Sequence, residues 1–99
     1  MAPIRRLVLD VLKPHAPSKV ELAREVASVS GVSGANALLL ETDRDVENVR
    51  LVVEGDDIDV EAVEHRIVDL SGTVHSIDEV VAGEQMVDSR DIPQDWLPP

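Results

Sequence analysis

The run Arg5-Arg6-Leu7-Val8-Leu9-Asp10-Val11-Leu12-Lys13-Pro14 constrains the fold more than any other stretch. Read as an extended chain, it points Leu7, Leu9 and Val11 one way and Arg6, Val8, Asp10 and Leu12 the other. A strand that is apolar on both sides belongs in the middle of a sheet, covered above and below. Pro14 has no N–H to give a ladder and ends the strand. Asp10 is the one carboxylate set inside it. The remaining elements have to be arranged around this strand.

After the stiff Pro14-His15-Ala16-Pro17 loop, Ser18 and Glu21 have the spacing of a capping box. A helix is expected from there to about residue 30, with Leu22, Ala23, Val26, Ala27 and Val29 on its apolar arc. Gly31 supplies the stop. Residues 35–41 read as a second strand and residues 47–54 as a third, in which Val49, Leu51 and Val53 alternate inward. Thr42-Asp43-Arg44-Asp45 is the turn between them. Asp59 caps a second helix over about residues 60–70, with Val60, Val63, Ile67 and Leu70 on one face. Ser71-Gly72 ends it, and residues 73–81 form the fourth strand. The order is βαβ followed by βαβ. It carries a faint internal echo: Arg6-Leu7-Val8-Leu9 in the first half, Arg50-Leu51-Val52-Val53 in the second. Two such halves folded together give an α+β, ferredoxin-like βαββαβ sandwich. Its four-stranded antiparallel sheet has the order 4-1-3-2, with two helices on one face, and the first strand is central as its composition requires. The domain is expected over residues 1–83. Residues 84–99 are expected as a polar tail that holds Trp96 and is free to strap a neighbouring subunit.

Two longer stretches carry a resemblance. At Leu7-Val8-Leu9-Asp10-Val11-Leu12-Lys13-Pro14-His15, and again at Val74-His75-Ser76-Ile77-Asp78-Glu79-Val80-Val81-Ala82-Gly83, the chain resembles the archaeal domain-of-unknown-function 211 family. Glu54-Gly55-Asp56-Asp57-Ile58-Asp59 is similar to that family's link between third strand and second helix. The resemblance covers about residues 4–83. It implies a small ferredoxin-like domain that self-associates into homo-oligomers, and it implies no activity.

Charge narrows the function classes. There are 20 acids against 9 bases, a net charge of -11, spread along the whole chain. Such a surface repels phosphate backbones and anionic membranes. The sheet also has no Phe or Tyr on which bases could stack. Nucleic acid and membrane are therefore not expected partners. The acidic balance, with only two lysines, suggests adaptation to high salt. With no cysteine there is neither disulfide nor thiolate chemistry, which fits a cytoplasmic setting.

The fold brings Asp10, Lys13, His15, Asp43, Asp45 and His75 toward one end of the sheet, with Asp78 further along the fourth strand. Two imidazoles among carboxylates suit a divalent cation or a small anionic ligand. The plain alternative is that these groups pair with neighbours and satisfy backbone. Strand four has a phase problem, because strict alternation sends either Asp78 or Glu79 toward the helices; a bulge or a subunit contact would resolve it. The row Glu61, His65, Asp69 reads as a solvated helix face. The expected function is a self-associating binding or regulatory module with ligand or cation sites near subunit boundaries. The alternative is an enzyme that uses Asp10, His15 and His75 as acid/base groups. Self-association follows from the sheet. Helices cover one face only, so Val8, Leu12 and Val52 on the other face need cover from the tail, through Trp96 and Leu97, or from a second subunit.

Overall fold

The computed structural model describes residues 1–88. The tail residues Trp96 and Leu97 lie outside them. The elements are β1 (Ile4–Pro14), α1 (Lys19–Ala27), β2 (Val32–Thr42), β3 (Val46–Gly55), α2 (Val60–Asp69) and β4 (Thr73–Ala82). The sheet runs β2-β3-β1-β4, with every neighbouring pair antiparallel. This is the expected order 4-1-3-2 read from the other edge, and β1 is central.

Local chemistry sets the helix ends. Ser18 Oγ accepts the Glu21 N–H at 3.3 Å, and Asp59 Oδ1 accepts the Ala62 N–H at 3.1 Å, so each helix starts on a side-chain cap. α1 ends at Ala27, short of the expected residue 30, because Ser28 becomes the cap. The Ser28 hydroxyl donates to the Arg24 carbonyl at 2.9 Å, and Val29 continues only as a turn. Gly31 then turns the chain at φ +84°, a conformation in which a Cβ is strained.

Alternation decides the core. Leu7, Leu9 and Val11 of β1 and Val49, Leu51 and Val53 of β3 all face the helices, at 1% exposure or less. Leu22 and Val26 of α1 and Val63 and Ile67 of α2 close over them to the same degree. Burying each of these side chains is worth about 1.5–3 kcal/mol. Arg66 of α2 reaches Glu25 of α1 at 2.6 Å and joins the helices at the surface.

β4 resolves its phase with bulges. Val8 pairs with Glu79 and Leu9 with Ile77, so Asp78 is an extra residue. Asp10 pairs with Ser76 and Val11 with Val74, so His75 is another. The two insertions let Val74 pack toward the core while Ser76 and Glu79 both lie beside the open-face residues of β1.

Candidate functional site

Two polar clusters stand on opposite faces of the β1–β3 ladder. The first extends the core. Lys13 and Glu47 are cross-strand partners in the same phase as Val11 and Val49, so the helix-covered face receives a lysine and a glutamate at its end. They are only 2% and 8% exposed. Lys13 Nζ donates to Glu47 Oε1 at 3.0 Å and to the Pro14 carbonyl at 2.6 Å. Lys19 Nζ, at the start of α1, reaches Glu47 Oε2 at 3.4 Å. Both lysines of the chain thus end on one carboxylate. The hydrogen bond from Lys13 is the main cause that holds the Glu47 carboxyl below the usual range, against the opposing effect of burial.

His15 closes this cluster from the loop. Its Nε2 lies 2.8 Å from the Asp43 carbonyl oxygen, and its Nδ1 lies 3.5 Å from Glu47 Oε2. Donation from Nε2 leaves Nδ1 a bare acceptor in the neutral ring, so only the protonated ring attracts both oxygens. Asp43 fastens the adjoining turn: its Oδ1 accepts the N–H groups of Asp45 and Val46 at 2.9 Å each. Those two bonds hold its carboxyl low. With Lys13 and Lys19 both paired to Glu47, and His15 held against Glu47 and the Asp43 carbonyl, this cluster can tie the β1–α1 loop to the β2–β3 turn.

The second cluster lies on the open face. Asp10 accepts from Asn48 Nδ2, which also reaches the Val11 carbonyl at 3.4 Å. Arg50 stands directly across from Asp10. Arg6 spans three strands, donating to Glu54 Oε2 at 2.7 Å and to Glu79 Oε1 at 3.3 Å. Its guanidinium is held even more firmly protonated, chiefly by the Glu54 bond. Asp78 Oδ1 takes the Ser76 hydroxyl at 2.7 Å. Between these groups is a shallow hollow of about 450 Å³, lined by Arg6, Val8, Arg50, Val52, Glu54, Asp78 and Glu79. A second, of about 460 Å³, adjoins it over Ser33, Gly34, Asn36 and Val52.

The group expected from sequence therefore divides within one chain. Lys13 and His15 meet at Glu47, together with the Asp43 turn. Asp10 and Asp78 belong to the open-face side. His75 is exposed in a bulge of β4, across β1 from the strand that receives His15. Among the described residues, no three His, Asp or Glu side chains are grouped so as to hold a metal ion. Glu61, His65 and Asp69 are all exposed on α2, as a solvated row should be. Sequence reasoning missed Glu47 and Asn48. The signal for Glu47 was present: continuing the Leu7–Val11 and Val49–Val53 phases by one step places Lys13 and Glu47 on the covered face.

No helix of the described residues is long and apolar enough to cross a membrane. The family model for DUF211, described as Uncharacterized ArCR, matches residues 5–96. A relative from Methanocaldococcus jannaschii, the uncharacterized protein MJ0319, is 44% identical over 92 residues, which is 93% of this chain and 95% of that protein. The match corrects one expectation from sequence. It runs through the tail to residue 96 where the resemblance was drawn only to about residue 83, so most of the tail belongs to the shared pattern. Over nearly its whole length, the chain belongs to the DUF211 family.

Proposed function

We propose that the protein is a self-associating binding module, in which a second copy covers the open face of the sheet and a small charged ligand is held at the boundary. The observation that carries this reading is the one-sided cover of the sheet. Both helices pack on the Leu7–Val53 side, while Val8, Leu12 and Val52 remain half-buried and Leu38 is 54% exposed on the other. Charges of both signs frame that apolar strip, in the row Glu54–Arg6–Glu79 and at Arg50. A mixed row of this kind can meet a second copy of itself without setting like charges together. The hollow beside Arg50 and Asp78 is open to solvent in one chain. A second copy would roof it, and a roofed, drier site strengthens any charged contact inside. Asp10, Arg50 and Asp78 are the groups we assign to the ligand.

We place the module in a salt-rich cytoplasm, because a net charge of -11 opposes association unless salt screens it. The test is the melting temperature as a function of protein concentration at high salt. An assembly that unfolds to separate chains melts higher as concentration rises, and a ligand that binds the folded form raises it further. A screen of divalent cations and small carboxylates should give a shift that Arg50→Ala and Asp78→Asn both remove. A melting temperature independent of concentration would end this reading.

A further inference from the structure

The two edges of the sheet are unlike. β4 has extra residues at His75 and Asp78, and Asp78 and Glu79 add charge beside them. Bulges and charges of this kind keep an edge from pairing. β2 also has extra residues, at Ser33 and Leu40, but they bracket an unbroken run over residues 34–39. That run holds no charge and no proline. Glu41 is the only charged residue among the eleven of β2, in a chain of which 29% is charged. Leu38, Leu39 and Leu40 are 54%, 38% and 42% exposed along this edge. A regular, uncharged edge bearing leucines is a template for another strand.

We infer that β2 pairs antiparallel with β2 of a second copy, about a two-fold axis through Ala37, and joins two four-stranded sheets into one of eight. An axis normal to the sheet keeps each side chain on its own face, so residues of like phase oppose one another. Centred on Ala37, the pairing sets Leu39 against the partner's Ala35 on the helix-covered face. On the open face it sets Leu38 against the partner's Asn36. Large meets small on both faces, so the strand is its own complement. Charge selects the direction. In this register Glu41 faces the partner's Ser33, and the two Glu41 residues, eight positions apart along the ladder, are ~27 Å from each other. That is well beyond a screening length of ~8 Å. A parallel pairing in register would instead stack Glu41 on Glu41 at a strand spacing of ~4.8 Å. This contact deepens the self-association reading with a second surface. The helices of both copies lie on the same side of the joined sheet, so the open face is doubled and left free for its own contact.

The chain has no cysteine, so single cysteines report the contact cleanly. Cross-strand Cα atoms ~4.5–5.5 Å apart fall inside the disulfide range. The full-length Ala37→Cys chain, oxidised in high salt, should run mostly as a linked dimer on a denaturing gel, and Val80→Cys at the β4 edge should not. An equimolar mixture of Asn36→Cys and Leu38→Cys chains, both altered at open-face positions, should link with each other more than either does alone. The Ala37→Cys link should persist in a Val8→Asp background, since it does not use the open face. Folded chains, judged by circular dichroism, that fail to link at both sets of positions overturn the proposal, as does a link at Val80 instead. If the edge fails while Val8→Asp still halves or further reduces the mass of the assembly, the open-face reading survives alone. If the edge links and mass is indifferent to Val8→Asp, the edge is the interface and the open-face reading falls.

Discussion

Gly55→Ala should be among the most damaging conservative changes in this chain. Gly55 ends β3 where it passes the turn that follows α1. A methyl group built there would lie 1.9 Å from the Gly31 carbonyl oxygen, 2.9 Å from its carbon and 3.0 Å from Val32 Cα. All three are backbone atoms, so no rotamer change relieves the contact. A carbon–oxygen approach rests at ~3.3 Å or more, so the segments must separate by roughly 1.4 Å. That separation strains two bonds that dock the turn: Asp56 N–H to the Gly31 carbonyl at 3.1 Å, and Asp59 N–H to the Ser30 carbonyl at 3.2 Å. Each lost bond costs ~1 kcal/mol net and the overpacking ~1–3 kcal/mol, together about 3–5 kcal/mol. A domain of this size has ~5–15 kcal/mol in all, and ~4–8 °C of melting temperature per kcal/mol. A fall of at least ~12 °C is expected. Gly34→Ala is the matched control, because a methyl there meets nothing within 4 Å. It should be neutral or gain up to ~1 kcal/mol from the less flexible unfolded chain. Thermal and urea unfolding followed by circular dichroism measure both. Gly55→Ala within ~1 kcal/mol of the parent, or the two variants losing alike, would refute the reasoning.

Glu47 makes stability depend on acid. A carboxyl held below its unfolded value adds stability that is complete above the unfolded pKa and drains away as pH falls through the folded one. Glu47→Gln should therefore be less stable at neutral pH and lose less between about pH 5 and pH 3; parallel acid limbs in urea titrations would contradict this. The protein should show no binding to RNA or DNA at moderate salt, and a salt-sensitive gel shift competed by bulk nucleic acid would count against the charge argument.

The central strand was legible because its apolar residues fall at both phases, which only an interior position satisfies. The capped helix starts were legible because Ser18–Glu21 and Asp59–Ala62 are local in sequence. The need for a bulge in β4 was legible in the Asp78–Glu79 phase conflict, but the positions of the bulges were not, because His75 and Asp78 are displaced by pairing with β1, and single-strand alternation has no term for a partner's register. The expected site gathered residues by their distance along the strands and neglected which face each occupied. Asp10 and Lys13 are three positions apart and therefore point to opposite sides of the sheet. The apolar strip of the open face was foreseen, but the concentration of exposed leucines at Leu38, Leu39 and Leu40 was not, because it depends on β2 being an edge strand with no neighbour on its outer side.

The most direct test of the account is the mass of the full-length chain in molar salt, by light scattering across micromolar concentrations, beside that of Val8→Asp. Covering the open face with a second copy predicts two or more times the 10.8 kDa of one chain for the parent. It also predicts a smaller mass for Val8→Asp, which sets a carboxylate into the apolar strip that the second copy would cover. A parent that remains at the mass of a single chain throughout would contradict it.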